Sequence, residues 1–293
     1  MDLDQRLLSI LKCPQCGGPL KIAHEKLVCS ACNAVYPVEG GIPALLPSVE
    51  PSEAISQFDY LTHYKQDSEQ FDYFERRGGA TAHSERRLRE YIQSFVPQDA
   101  TSILDVGCGS AWVAKAYQNS GTFVCSLDIS AVNPRKAIER YPFADHVGVA
   151  ADTYHLPFMD GSFDCIIAAE IIEHVPDPKA FADQLMRVLR PGGTVIVSTP
   201  FKEKLVFEQC IHCHQQTPHN AHLHSWDEGK LRSLFRLSSA RTEFASFNNK
   251  LLLYGRTYPL LKLLPFTLWK AADSIANLIV NKRVNCILSV TKT

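Results

Sequence analysis

The chain has 293 residues, of which 45% are hydrophobic and 21% are charged. That balance predicts a folded protein with a buried core and excludes a chain that is disordered throughout. The formal net charge is −1, so strong nucleic-acid binding through a basic surface is not expected. The first residues lack the apolar stretch of a signal peptide, and no apolar run reaches the roughly 18 residues of a membrane-spanning helix, so we expect a cytoplasmic protein.

Six of the ten cysteines fall in three C-x-x-C pairs. In a reducing compartment such pairs more often bind metal than form disulfides. Twelve residues separate the first two pairs, a spacing typical of a zinc ribbon, in which two turns bring four thiolates around one tetrahedral ion. Four thiolates leave no open coordination position, so the predicted site is structural. Its ligands are Cys13, Cys16, Cys29 and Cys32.

The segments that flank these pairs carry a resemblance to a known family. Residues 7–14 read LLSILKCP and residues 36–46 read YPVEGGIPALL. Over about residues 3–47 the chain resembles the Trm112-like zinc ribbons, small proteins that often accompany methyltransferases as stabilising partners. We therefore expect a first domain at residues 1–47.

Residues 48–100 are predicted to form a linker and N-terminal helices. An aromatic stretch at residues 58–74 has two interpretations, a helix packed on the next domain or a lid over a ligand. Ser84 is predicted to cap the following helix, which Pro97 ends.

From residue 101 onward, short apolar strands alternate with helical segments, a pattern that predicts a parallel sheet flanked by helices. A glycine-rich turn, Gly107-Cys108-Gly109, follows the first strand, and Asp128 ends the second, 19 residues after Gly109. Such a turn favours a negatively charged ligand group, and an acid at that place can hold ribose hydroxyls. Trp112 stands where a dinucleotide-binding fingerprint needs its third glycine, so a pyrophosphate fits this turn poorly. The turn also lacks the G-K-[ST] sequence of a P-loop, which excludes that motif.

Five ordered segments resemble class I S-adenosylmethionine-dependent methyltransferases, in particular the type 11 group. They are LDVGCG at 104–109, LDIS at 127–130, Asp152 with LPF at 156–158, FD at 163–164 with EHV at 173–175, and LRPGG at 189–193. The resemblance implies an α/β fold, a Rossmann-like class I methyltransferase sheet flanked by helices, over residues 101–293.

The resemblance also implies roles for individual residues. Asp105, Gly107 and Gly109 would line the methionine half of S-adenosylmethionine, Asp128 would bind its ribose, Asp152 and Thr153 would meet its adenine, and Glu170 would face cofactor or substrate. His174 and Glu173 are candidate bases, although this pair can simply organise the turn that follows the fourth strand. The family usually has a third glycine where this chain has Ala111.

Residues 208–224 hold a second cluster of potential metal ligands. A zinc site formed by Cys210, Cys213, His219 and His222 is predicted, with His214 and His224 as substitutes. One alternative is a polar loop with surface histidines. Another is a catalytic zinc with an open position for a thiol acceptor.

Residues 251–283 form an apolar, basic insert between the last two predicted strands, at 240–247 and 285–290. Residues 250–283 contain six basic residues and one acid, a pattern that suits a helix lying on an anionic membrane. A roof over the substrate pocket and a dimer face are equally compatible.

The sequence thus predicts methyl transfer from S-adenosylmethionine to a small-molecule, glycan or lipid-linked acceptor, with one or two structural zinc ions and a cytoplasmic location that includes contact with membranes. An RNA or protein methyltransferase is the alternative enzyme, and a non-catalytic scaffold with a cofactor fold is the alternative outside the enzymes.

Overall fold

The computed structural model describes residues 3–48, 59–75, 77–210, 214–235, 240–255 and 257–293. The helices are α1 Gln5–Ile10, α2 Tyr60–Gln70, α3 Gly79–Gln93, α4 Trp112–Tyr117, α5 Val132–Arg140, α6 Pro178–Val188, α7 Glu228–Leu234, α8 Lys250–Tyr254, α9 Tyr258–Leu261 and α10 Phe266–Ile279. The strands are β1 Leu20–Ala23, β2 Lys26–Cys29, β3 Val35–Glu39, β4 Ile42–Leu45, β5 Ser102–Val106, β6 Phe123–Asp128, β7 His146–Ala151, β8 Phe163–Ala169, β9 Leu189–Pro200, β10 Phe207–Gln209, β11 Gln216–Pro218, β12 Ala240–Asn249 and β13 Arg283–Lys292.

Eleven of these strands form one sheet in the order β1-β2-β3-β4-β7-β6-β5-β8-β9-β13-β12. The strands from β4 to β9 run parallel, and β13 is inserted antiparallel between β9 and β12. The central strands are apolar along their length because helices cover both faces of the sheet. The predicted alternation of strands and helices, and the Rossmann-like sheet it implies, are confirmed.

The N-terminal ribbon is joined to this sheet by main-chain pairing. Strand β4 pairs in parallel with β7, with Ala44 opposite Ala150 and Leu45 opposite Ala151. The backbone nitrogen of Lys12 also donates to the carbonyl of Pro157. The cysteine-bearing segment therefore extends the edge of the large sheet and shares its core.

The helix that precedes β5 begins earlier than the sequence predicts. Helix α3 starts at Gly79, so Ser84 lies inside the helix and the predicted cap is wrong. Its buried face carries Leu88, Tyr91 and Ile92. Part of the predicted linker, residues 49–58, lies outside the described residues.

Helix α10 in the C-terminal insert has its polar side chains turned inward. Asp273 and Asn277 are buried together with Trp269. Asp273 accepts hydrogen bonds from the backbone nitrogens of Asn248 and Asn249, at 3.1 and 2.7 Å. The opposite face exposes four large apolar side chains, those of Leu268, Ile275, Leu278 and Ile279. Within the described parts of the chain, no helix has both the length and the apolar character needed to cross a bilayer.

We expect the ribbon and the sheet to unfold together. Leu45 is fully buried beside β7 whereas its neighbour Leu46 is 37% exposed, so Leu45→Ala should cost about 2–5 kcal/mol and Leu46→Ala less than about 1 kcal/mol. Denaturant unfolding followed by tryptophan fluorescence measures this, because Trp112, Trp226 and Trp269 all lie outside the ribbon. An unchanged fluorescence midpoint in Leu45→Ala would show that the ribbon is an independent unit.

Candidate cofactor and metal sites

The turn after β5 needs residues that tolerate positive φ. Gly107 has φ +67° and Gly109 has φ +43°, values that disfavour side chains with a Cβ. Ala111 has φ 53° and is buried, at the first step into α4. The methyl group at the expected third glycine is therefore accommodated, at a backbone cost of about 1–2 kcal/mol.

Two side chains cover this turn. A Cβ added to Gly107 would lie 2.2 Å from Cδ1 of Ile171, and one added to Gly109 would lie 3.4 Å from the ring of Tyr73. Tyr73 follows α2, and its hydroxyl donates to Asp67. The aromatic segment thus packs on the sheet domain through Tyr60, which is buried in its core, and Tyr73 lies over the turn. A lid over a ligand stays a prediction.

Two acids meet beneath the turn. Asp105 is buried, and its Oδ2 has no hydrogen-bond partner among the described residues. Burial, followed by the nearby charge of Asp128, raises the pKa of Asp105 to about 8. The charge of Arg89 favours the ionised form of Asp105, but the Arg89 side chain forms its ion pair with Glu85. An unpaired carboxylate of this kind fits a ligand that carries a cationic amino group.

Asp128 lies at the end of β6, where the sequence predicts it. Its Oδ1 accepts from the backbone nitrogen of Ile129 at 2.8 Å and its Oδ2 from Nδ2 of Asn133 at 3.1 Å. Burial raises its pKa. The two hydrogen bonds fix the carboxylate at the carboxyl end of the strand, where parallel sheets bind ligands.

Asp152 follows β7, and its carboxylate is already engaged. The hydroxyl of Tyr60 donates to Oδ2 at 2.8 Å, and the backbone nitrogen of Tyr154 donates to Oδ1 at 3.0 Å. Thr153 begins the short 3-10 turn that Asp152 caps. Tyr60 is a site residue that sequence reasoning missed, although it belongs to the aromatic stretch.

Glu170 follows β8 in a conformation that side chains rarely adopt. Its φ is 55°, and its Oε1 accepts from Oγ of Ser198 at 3.0 Å. Burial raises its pKa to about 7. Left-handed backbone at a non-glycine residue costs energy and clusters at functional sites.

Glu173 and His174 lie one turn further along. Glu173 is 1% exposed, and Oγ1 of Thr199 donates to it at 3.0 Å. Nδ1 of His174 donates to the carbonyl of Ala221 at 3.3 Å. Burial lowers the pKa of His174 to about 4, so its imidazole is neutral and a weak base near neutral pH.

The predicted second zinc cluster is only partly described. Cys213 lies outside the described residues, so the cluster stays a prediction. His219 faces Glu208, with Nδ1 and Oε1 2.9 Å apart, and His224 contacts the carbonyl of Val175 at 2.9 Å. His222 reaches the imidazole of His174, with ring centroids 4.8 Å apart.

The four ribbon cysteines converge as predicted. Their sulfurs lie within 4.8 Å of one another, with Cys13 and Cys32 at 3.7 Å and Cys16 and Cys29 at 3.5 Å. A tetrahedral site with bonds of about 2.3 Å has edges of about 3.8 Å. Four thiolates with this geometry could hold one metal ion.

A glycine turn after one parallel strand and an acid at the end of its neighbour are typical of domains that bind a nucleotide-type cofactor. The chain belongs to the methyltransferase-domain family, whose model matches residues 80–238. Residues 4–41 match the Trm112p-like protein family.

Curated relatives match a part of the chain. A ubiquinone biosynthesis O-methyltransferase of Xylella fastidiosa is 33% identical over 38% of this chain and 46% of its own length. A malonyl-[acyl-carrier protein] O-methyltransferase of Hahella chejuensis is 33% identical over 40% and 42%. A 2-methyl-6-phytyl-1,4-hydroquinone methyltransferase of Synechocystis is 39% identical over 33% and 31%. The chain spans less than half the length of these relatives.

Solved structures share the fold at low identity. A complex between the Haloferax volcanii Trm112 methyltransferase activator and a putative methyltransferase matches with TM-score 0.51 and 17% identity, covering 80% of this chain and 98% of that chain. The [4+2]-cyclase SpnF matches with TM-score 0.52 and 17% identity, covering 83% and 97%. The fold therefore occurs in proteins with different reactions.

The raised pKa of Asp105 predicts how stability depends on pH. Between its unfolded pKa of about 4 and its folded pKa, the folded cofactor-free protein holds a proton that the unfolded chain lacks, so stability falls as pH rises. Asp105→Asn removes this dependence and should flatten the decline from about pH 5 to about pH 8, by up to about 1.4 kcal/mol per pH unit.

Denaturant unfolding of the cofactor-free protein at a series of pH values measures the effect. The exposed acid Asp183 provides a matched control, because Asp183→Asn should keep the wild-type slope. Parallel curves for wild type and Asp105→Asn would contradict the assignment.

Proposed function

We propose that the protein is an S-adenosylmethionine-dependent methyltransferase that acts on a small molecule. The observation that carries the proposal is the buried side chain of Asp105 beneath the glycine turn, whose Oδ2 has no hydrogen-bond partner among the described residues. In a member of the methyltransferase-domain family, the amino group of the cofactor's methionine half supplies the missing positive charge.

The residues around the turn fit the parts of this cofactor. Asp105, Gly107 and Gly109 would hold the methionine half and Asp128 the ribose hydroxyls. Asp152 and Thr153 would face the adenine, with Tyr60 as a neighbour on the lid. When bound, the cofactor supplies an activated methyl group on a sulfonium. Positioning and exclusion of water are the tasks left to the protein, and Tyr73 and Ile171 lie where they would exclude it.

A base is needed only when the acceptor is an unactivated hydroxyl or a similar group. The segment that carries Glu170 and His174 approaches the glycine turn through Ile171 and contacts the carbonyl of Ala221 through His174, and either side chain would face such an acceptor. The curated relatives are named for quinone, hydroquinone and malonyl-carrier acceptors, which favours a small or lipid-linked acceptor. The net charge of −1 disfavours RNA as the acceptor.

The ribbon is proposed to hold one structural zinc ion and to stabilise the sheet within the same chain. Its β4 strand completes the edge beside β7. In the archaeal complex, the Trm112 activator is a separate chain. Fusion of the two would keep the ribbon in place at any protein concentration.

Binding of S-adenosylmethionine tests the proposal. Asp128→Ala should weaken binding roughly 10- to 150-fold, because each charge-assisted hydrogen bond to the ribose contributes about 1.5–3 kcal/mol. Asp183→Ala, which changes an exposed acid, should bind as the wild type does. Isothermal titration calorimetry measures both affinities.

Turnover is read as S-adenosylhomocysteine formed with a panel of quinols and phenols. Absence of cofactor binding in the wild type would favour the non-catalytic scaffold. If the protein binds S-adenosylmethionine but methylates no small molecule, protein or RNA that is offered, the result would point to another reaction on this fold.

We further propose that α10 places the protein on anionic membranes. Its outward face is apolar, with Leu278 82% exposed and Ile279 77% exposed. Lys262, Lys270 and Lys282 are exposed in the same insert, while the acid Asp273 is buried and internally bonded. An exposed apolar helix face in a segment with several exposed lysines suits a surface of anionic lipid.

Co-sedimentation with vesicles tests this surface. Leu278→Ser with Ile279→Ser should weaken binding to vesicles rich in anionic phospholipid at least about tenfold, since each buried side chain contributes roughly 1.5–3 kcal/mol. Trp269 is unsuited to this test because it lies in the core. Ile22→Ser with Val35→Ser, an exposed apolar pair on the ribbon, is the matched control. A wild type that stays in the supernatant at low salt would refute the proposal.

A further inference from the structure

A group of potential metal ligands separate from the ribbon lies beyond the end of β8. Glu173, His174 and His222 each present one ligand atom, and the three atoms lie within 4.8 Å of one another. Oε1 of Glu173 and Nε2 of His174 are 4.0 Å apart. Two atoms that bind one ion through bonds of about 2.1 Å lie at most about 4.2 Å apart. Small side-chain rotations would bring all three to one ion.

Both imidazoles are oriented by their other nitrogen. Nδ1 of His174 donates to the carbonyl of Ala221 at 3.3 Å, and Nδ1 of His222 lies 2.5 Å from Oε2 of Glu203. Each bond leaves the Nε2 lone pair available. Histidines that bind metal are usually held in this way, by a carbonyl or a carboxylate on the far nitrogen.

The local charge also calls for a cation. Glu173 is almost fully buried, Glu170 lies three residues before it in the chain, and Glu203 contacts His222. Across the part of the chain that the structure describes, no lysine or arginine forms an ion pair with any of these three acids. Buried carboxylates are normally paired or coordinate a metal.

The insert that supplies His222 is tied to the same place. The backbone nitrogen of Leu223 donates to the carbonyl of Glu173 at 2.7 Å, and His224 contacts the carbonyl of Val175. These contacts fix His222 against Glu173 and His174. His222 is thereby directed to this group, although the sequence predicts it as a partner of Cys210.

We propose that Glu173, His174 and His222 bind a divalent transition-metal ion. Two imidazoles and one carboxylate leave coordination positions open, as in metal sites that also bind a substrate. Ile171, from the same segment as Glu173, touches the glycine turn. If the proposed methyl transfer holds, the open positions would take an oxygen of the acceptor, which points to acceptors with a hydroxyl or phenol group.

Binding of Co²⁺ to the full-length protein with a zinc-loaded ribbon tests the site directly. We expect one Co²⁺ per chain, with visible bands but without the charge-transfer band of a cobalt–thiolate bond. His222→Ala should weaken Co²⁺ binding at least about tenfold, and Glu203→Gln, through its effect on His222, by about 10- to 100-fold. His24→Ala, at an exposed histidine outside both proposed ligand sets, should leave Co²⁺ binding unchanged.

S-adenosylmethionine affinity, measured on every variant, shows that the fold is intact and separates the two proposals. Normal cofactor binding with no Co²⁺ uptake in the wild type overturns the metal site alone. Co²⁺ uptake without methyl transfer overturns the proposed function alone. A thiolate band that disappears in Cys210→Ser would assign the ion to the cluster predicted from sequence and overturn this proposal.

Discussion

Buried carboxylates that form no ion pair with a lysine or arginine among the described residues are the constraint on which this molecule depends. Four acids lie at or beyond the carboxyl ends of neighbouring parallel strands, so the topology gathers them at one end of the sheet. They are Asp105, Asp128, Glu170 and Glu173. Burial raises the pKa of each of them. Removing four acids from water without a paired cation is costly, even where hydrogen bonds reach them. The rest of the fold must offset that cost, and the proposed cofactor and metal ion would reduce it by supplying positive charge.

The ribbon contributes part of that offset. By pairing β4 with β7, it turns an exposed edge of the parallel sheet into an internal strand, and Leu45 and Leu27 enter the common core. A module of this size has little core of its own, and metal bonds would supply much of its folding free energy. By holding the ribbon together, the four cysteines would therefore also stabilise the sheet that carries the proposed cofactor site.

In the C-terminal insert, hydrogen bonding to the main chain decides which face of α10 is buried. Helix α10 turns Asp273 and Asn277 inward because the chain ends its β12 strand there, and the free backbone nitrogens of Asn248 and Asn249 need acceptors. That demand rotates the apolar residues outward. The exposed apolar face of α10 therefore follows from hydrogen bonding at the end of β12. The exposed lysines of the same insert make this face suited to an anionic surface.

The sequence by itself determined the alternation of strands and helices, the glycine turn, Asp128 and the four cysteines of the ribbon. These features depend on short-range patterns, period and spacing, which a single chain displays directly. Only the tertiary structure decided that β4 pairs with β7 and that Tyr60 donates a hydrogen bond to Asp152. It also decided that α10 turns its polar side chains toward the core, and that His222 meets Glu173 and His174, which lie about 50 residues earlier in the chain. Such contacts arise from packing between distant segments, and local periodicity carries no record of which segments will meet.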